Sequence, residues 1–290
     1  MAMISEDPEI RIKRGYLNED FRFFHLRDKR DLEFEFHYHD FNKIVIFVSG
    51  AVTYRIEGKA YRLRPWDILF VSRGELHQAV VSPEDPYERI VIWVNSAFLS
   101  AHSTDGNLLK CFELSKETRN NLLRPDDEAV RGMKPALFSL EKSVKDEGFG
   151  AGLLRNSLFL QLMIYLNRLF LGYSLDASVS DIEYDERIGK VMDFINSNLD
   201  KALSIDQLSA LFFISKYYLM HKFKEQTGYT VHHYILKKRL IKAAQLIKKG
   251  AQVTDTCAAC GFGDYSNFER AFRKEFGLSP RNYYKVFQSS

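Results

Sequence analysis

The 290-residue sequence predicts two domains: an all-β barrel or sandwich followed by helices, then an all-α module built as a double helix-turn-helix. Three observations predict this. Short runs of β-branched and aromatic residues fill the first third of the chain. A helical pattern occurs twice in the last third at a constant offset of 49: Leu208, Leu219, Phe223, Gly228 and Tyr234 recur as Cys257, Phe268, Phe272, Gly277 and Tyr283. The charge also divides, with 17 Lys or Arg against 8 Asp or Glu in residues 187–290, and 24 against 30 before them.

The β region runs from about Phe21 to Phe98. Its segments Lys43–Val48, Val52–Ile56, Asp67–Val71 and Arg89–Val94 are bounded by Ser49-Gly50, Glu57-Gly58-Lys59, Arg64-Pro65 and Ser72-Arg73-Gly74. Closely spaced short strands without intervening helices predict an antiparallel sandwich or small barrel, a fold able to enclose a ligand. Tyr54, Arg89 and Trp93 lie on neighbouring strands and are candidate ligand contacts. Arg89 and Trp93 share one face of their strand, while Ile90, Ile92 and Val94 form the rival face, so alternation alone does not assign the interior.

Helical patterning follows, weak over 106–121 and strong from Pro135 to Tyr173. Over 153–170, Leu154, Leu158, Leu162, Tyr165 and Leu169 form one stripe that fits either the protein's own barrel or a second copy. A homodimer through helix 153–170 is one expected assembly. Gly172 to Glu183, with three Ser and three acidic residues, reads as a linker. The expected domains are 1–172 and 187–290, joined by 173–186.

The basic module opens with an amphipathic helix carrying Ile188, Val191, Met192, Ile195 and Leu199. Ser204-Ile-Asp-Gln207 has capping-box spacing and starts a helix expected to bury Leu208 and Leu211. Ser215 caps a third helix, which Gly228 stops, and a long helix then runs to about Lys249. The second copy starts near Val253, its second helix lies between Asp264 and Gly277, and Pro280 opens the last. In each copy one helix has an apolar pair at i, i+4, Leu219 with Phe223 and Phe268 with Phe272, and an opposite polar face. Such helices fit the major groove of DNA. The expected contacts are Lys216, Tyr217, Met220, His221 and Lys224 in the first copy, and Tyr265, Ser266, Asn267, Arg270 and Arg273 in the second. Arg270 is placed for a bidentate guanine contact, and Lys224 and Arg273 for phosphates.

Other functions find little support. No run approaches 18 apolar residues, and Met1 to Arg14 lacks an apolar signal-peptide core, so a cytoplasmic protein without membrane contact is expected. Cys257-Ala-Ala-Cys260 has the spacing of zinc and redox sites, but at offset 49 both cysteines replace apolar leucines and read as small core residues. No nucleophile arrangement, phosphate-binding glycine loop or paired-carboxylate motif stands out, so a non-enzyme without cofactor is expected.

The run Gly261-Phe-Gly-Asp-Tyr-Ser-Asn-Phe-Glu-Arg-Ala-Phe-Arg-Lys-Glu-Phe-Gly-Leu-Ser-Pro-Arg-Asn-Tyr-Tyr284 closely resembles the signature of the AraC family of bacterial transcription regulators. Ile214 to Gly228 is similar to that family's less uniform first helix-turn-helix. The resemblance implies two subdomains joined by the long helix, both reading double-stranded promoter DNA, and control of RNA polymerase by a dimer whose other domain senses a small molecule, commonly sugar-related. The first half resembles that family's cupin-like sensor barrel through His37-Tyr-His-Asp-Phe41, Ser49-Gly50, Ile56-Glu-Gly-Lys59, Leu63-Arg-Pro-Trp-Asp67 and Arg73-Gly-Glu-Leu-His77. This implies that His37, His39 and His77 converge on a pocket, to which Tyr54, Arg89 and Trp93 are the strand-borne candidates named above. Metal-binding cupins supply a carboxylate soon after the paired histidines. Asn42 and Lys43 stand there instead, so no metal is expected. Two other readings are a regulator governed by a protein partner or oligomerisation, and a metal-dependent cupin enzyme fused to a DNA-binding unit.

Overall fold

The computed structural model describes residues 17, 19–28, 34–82, 84–172 and 181–288. The chain forms two compact units, divided between Glu183 and Tyr184. No described helix is long and apolar enough to cross a membrane.

The first unit contains β1 (Phe21–Asp28), β2 (Asn42–Ser49), β3 (Val52–Ile56), β4 (Lys59–Arg62), β5 (Ile68–Val71), β6 (His77–Val81), β7 (Tyr87–Val94), α1 (Ser96–Ala101), α2 (Lys110–Thr118), β8 (Leu122–Leu123), α3 (Asp127–Ser143), α4 (Ala151–Gly172) and β9 (Ile182–Glu183). Its strands pair antiparallel in two sheets, ordered β1-β7-β2-β5-β8 and β6-β3-β4-β9. The larger sheet is the middle layer. Ile44, Ile46, Ile68, Phe70, Ile90, Ile92 and Val94 pack in one cluster with residues of α1–α4, including Phe98, Phe112, Met133 and Leu162. The opposite faces of β2 and β5 carry Val45, Phe47, Leu69 and Val71, which pack with Tyr54, Ile56 and Tyr61 of the smaller sheet. Strands buried on both sides read as continuous apolar runs, which is why alternation did not assign the interior. The inner face of β7 is that of Arg89, Val91 and Trp93.

Buried polar groups in this unit pin the loops. Asp67 accepts from Arg124 Nε and Nη2 at 2.8 and 2.7 Å and from the Arg64 backbone N–H at 2.7 Å. Arg124 also donates to Asp181 at 2.6 Å, tying the start of β5, the end of β8 and the approach to β9 together. Asn167 on α4 accepts from the Cys111 N–H at 2.8 Å and donates to the Leu108 and Met163 carbonyls at 2.9 and 2.8 Å.

Two expectations need correction here. The buried face of α4 is Phe159, Leu162, Met163, Leu166, Asn167 and Phe170, rotated from the expected stripe: Leu154 is 49% exposed, and Leu158, Tyr165 and Leu169 are only partly buried. The helix is apolar on several sides, so the stripe had no unique reading. The expected linker is also partly ordered. Residues 173–180 lie outside the described residues, but Ile182 and Glu183 pair with Tyr61 and Ala60 of β4.

The second unit comprises α5 (Glu186–Ser197), α6 (Ile205–Leu211), α7 (Lys216–Thr227), α8 (Val231–Lys248), α9 (Val253–Ala259), α10 (Tyr265–Phe276) and α11 (Pro280–Gln288). Ser204 and Gln207 make the capping box of α6, Ser215 caps α7 through the Tyr218 N–H, and Asp264 caps α10 through the Asn267 N–H. Gly228 and Gly277 end α7 and α10 in the left-handed conformation. The internal repeat is visible in the ring packing: Phe223 on Tyr234 and Phe272 on Tyr283 are both edge-on at 5.3 Å.

The constant offset of 49 fails in one place. It holds from Ser215/Asp264 onward, but α6 corresponds to α9 at 48: the Ile214 N–H bonds the Ser209 carbonyl as the Phe262 N–H bonds the Cys257 carbonyl. The second turn holds one extra residue, with Gly261, Phe262 and Gly263 between Cys260 and Asp264 where Phe213 and Ile214 lie between Phe212 and Ser215. Leu211 is therefore 50% exposed, and Cys260 corresponds to Phe212. Both cysteines are nevertheless buried, as small core residues.

The corrected register pairs Phe213 with Gly261, and both have left-handed backbones, φ 53° and 74°. A Cβ on Gly261 would stand 2.3 Å from the Leu199 carbonyl, whose oxygen accepts from Arg239. We expect Gly261→Ala to destabilise the helical unit by roughly 2 kcal/mol or more, since backbone strain and a backbone clash add. Phe213 is 95% exposed, so Phe213→Gly relieves strain without losing packing and should stabilise by about 1 kcal/mol. Thermal melts of the two variants should move in opposite directions.

Candidate functional site

The two candidate reading helices are built alike. Leu219 and Phe223 of α7, and Phe268 and Phe272 of α10, are fully buried and fix each helix to its own core. Opposite them, Lys216, Tyr217, Met220, His221 and Lys224 on α7 and Ser266, Asn267, Arg270 and Arg273 on α10 are exposed. Tyr217, Met220, His221 and Lys224 line one surface groove with Glu225, and the Tyr217 and His221 rings stack parallel at 5.9 Å. Lys216 forms an ion pair with Asp206 of α6. Tyr265 departs from expectation. It is one turn before Phe268 and packs against it at 6.1 Å, so its ring is half-buried. Burial raises the thiol pKa of Cys257, and that of Cys260 to about 11, so both stay protonated and unreactive at neutral pH.

Sequence reasoning missed Tyr218. Its hydroxyl bonds the Asp185 carboxylate and accepts from Arg187 Nη2 at 2.6 Å, and the Arg187 guanidinium lies 4.5 Å from its ring centroid. Asp185 also caps α5. The first residues of the helical unit are thereby fastened to the first reading helix. A tyrosine between Tyr217 and Leu219 gives no sequence signal for a partner 33 residues away.

In the first unit, the structure brings His37, His39 and His77 together. His37 and His77 form a β-bridge through backbone hydrogen bonds of 3.0 and 2.9 Å, and the three ring centroids are 4.3 to 5.1 Å apart. Tyr54 stacks on His77 at 6.0 Å and its hydroxyl accepts from Lys43 Nζ at 3.2 Å. Trp93 lies 6.1 Å from His39, with Phe41 against both. Arg89 belongs elsewhere. It pairs with Asp28 at 2.7 Å and lies over Tyr87, and the four-residue step to Trp93 is about 13 Å along β7. Of the six candidate contacts, Arg89 therefore stands apart from the other five.

Burial, with Lys43 and His37 charge adding, holds the His39 imidazole well below its ordinary 6.5, and burial with His37, Lys43 and His39 does the same to His77. Unfolded, both protonate near 6.5, so in acid the unfolded chain binds protons that the folded one refuses. Stability is then full above about 6.5 and falls as the pH drops below it, by up to about 1.4 kcal/mol per unit per histidine. His25 acts oppositely: burial lowers it, but bonds to the Glu141 and Glu88 carboxylates at 2.8 and 3.0 Å outweigh burial and raise it. Two against one, the first unit should melt at lower temperature at about pH 5.5 than at about pH 7.5, and His77→Gln should make that dependence shallower. A melting temperature that is flat over this range would contradict the neutral pair.

Residues 23–163 match the family model of the AraC-like ligand binding domain, and residues 208–285 match that of a helix-turn-helix domain. The chain is 25% identical over 254 residues to the HTH-type transcriptional activator RhaS of Enterobacter sp. (strain 638), covering 84% of this chain and 85% of that protein. It is 27% identical over 249 residues to RhaS of Yersinia pestis (strain Pestoides F), covering 85% and 87%. A crystal structure of an apo ToxT variant from Vibrio cholerae is similar at 13% identity and a TM-score of 0.39, covering 93% of this chain and 98% of that one. With both of its domains matched in order, the chain belongs to the AraC family, as a DNA-binding transcription regulator with an AraC-like ligand-binding domain.

Proposed function

We propose that the protein acts in the cytoplasm as a non-enzymatic regulator that reads promoter DNA with α7 and α10. The observation that carries this reading is the pair of helices with matching caps, matching buried anchors and exposed polar faces, on the unit that holds the chain's basic excess. The names of the relatives support activation, and so recruitment of RNA polymerase, as the sign of control. The interior of the sandwich, where Tyr54 and Trp93 place aromatic groups, supports an effector site for a small, sugar-related molecule. Arg89 with Asp28 and Tyr87 forms a second polar position on the same inner face. The alternative in which a protein partner controls the regulator would show as DNA binding insensitive to every small molecule tried.

Arg270 makes the sharpest test of the DNA reading. Arg270→Ala should relax the preference at one base pair by roughly 1 to 3 kcal/mol, seen as a single degenerate position in a binding-site selection. Arg273→Ala should instead weaken all sequences alike and lower the salt dependence.

Leu153, Ile164 and Leu171 are exposed and spaced 11 and 7 apart on the outer face of α4, and Phe138 of α3 is exposed as well. This unpartnered apolar line supports a homodimer through α4. Ile164→Lys should shift the sedimentation of the full chain from dimer toward monomer without lowering its melting temperature, because the side chain does not enter the core. A wild-type chain that sediments as a monomer would remove this interface.

A further inference from the structure

We propose that His37, His39 and His77 bind one divalent transition-metal ion of the zinc class at the edge of the interior between the two sheets of the first unit. Their candidate ligand nitrogens all lie within 4.8 Å of one another, and among the described residues no other group of His, Cys, Asp or Glu converges in this way. The placement is fixed by backbone: His37 and His39 are two residues apart in an extended segment, and the bridge to His77 brings the third ring beside them.

The tautomers suit a cation. His37 Nδ1 lies 2.8 Å from the Glu35 carbonyl and His77 Nδ1 lies 2.9 Å from the Glu75 carbonyl. A carbonyl only accepts, so each Nδ1 carries the proton and each Nε2 keeps a lone pair. A ligating imidazole is oriented by the same kind of carbonyl bond. His77 Nε2 and both His39 ring nitrogens are buried without a hydrogen-bond partner. With ring centroids 4.3 to 5.1 Å apart, the space among the rings suits an ion rather than a multi-atom ligand.

Three imidazoles without a carboxylate form a complete protein ligand set for zinc, leaving a fourth position for water or an anion. All-nitrogen donors also disfavour magnesium and calcium. The position where a carboxylate ligand would stand is occupied by Asn42. Asn42 is engaged elsewhere, accepting from the Arg73 N–H at 2.9 Å and donating to Ser96 Oγ at 3.2 Å. Lys43, whose charge reaches His39 and His77, then opposes a cation and sets its affinity lower than the imidazoles alone would give. This site stands on the histidines alone and is independent of the DNA and effector readings.

The test uses full-length protein stripped with a chelator, dialysed, and titrated with Co²⁺ by calorimetry and absorption. One ion should bind per chain with a nitrogen-ligand visible spectrum and no thiolate-to-cobalt charge-transfer band, which Cys257 and Cys260 would produce. His39→Gln and His77→Gln should each weaken binding by about tenfold or more. Lys43→Met leaves the ligands in place and should tighten binding by on the order of tenfold. It also decides the matter should the histidine variants fail to fold. The proposal is overturned by a folded wild-type chain that takes up no Co²⁺, by a thiolate band, by unchanged affinity in both folded histidine variants, or by weaker binding in Lys43→Met.

Discussion

The central strands β2, β5 and β7 of the first unit's larger sheet are buried on both faces, and the rest of that unit depends on this constraint. One face of β2, β5 and β7 holds the helices through Ile44, Ile46, Ile68, Phe70, Ile90 and Ile92, and the other closes the interior through Val45, Phe47, Leu69 and Val91. Each such side chain contributes about 1.5 to 3 kcal/mol when fully removed from water. A polar group in this layer must find a partner or lose stability. Asp67 finds Arg124, and Arg89 finds Asp28. The three histidines at the edge of the interior are the place where the rule is strained most, which is why they carry chemical interest.

The same constraint governs how much of the unit was legible in the sequence. Strand positions followed from β-branched runs and turn residues, because those depend on local geometry. Which face pointed inward did not follow, because a strand apolar on both sides has no alternation to read. Helix α4 repeats the problem in helical form: Leu and Phe occur around most of its circumference, and the buried side includes Asn167, whose polarity is met by backbone groups of α2 and its approach. Shared strand parity grouped Arg89 with Trp93 as pocket candidates, but four-residue spacing along β7 separates them.

The helical unit was more legible because its signals are caps. Ser204, Ser215, Asp264, Gly228 and Gly277 act on their own helix ends and need no distant partner. The one-residue shift between copies was hidden for a physical reason. Offset 49 aligned Leu208 with Cys257 and Leu211 with Cys260, so apolar matched apolar and the pattern survived the error. The turn reveals the shift: a left-handed residue is Gly261 in one copy and Phe213 in the other, and glycine at a left-handed position is expected where phenylalanine is not.

The acidic segment before α5 shows why composition misled. A solvated linker and a fastened one carry the same residues, since charge serves both. Here Asp181 pairs with Arg64 and Arg124 at 2.5 and 2.6 Å, and the hydrogen bond from Arg124 holds its carboxyl below the usual range. Glu183 pairs with Arg62 at 2.7 Å, and Asp185 caps α5 while bonding Tyr218. Ile182 also continues a rung of backbone pairing that runs from Ala79 through Tyr54 and Tyr61. Partners separated by tens of residues give this segment its order, and no local pattern encodes them.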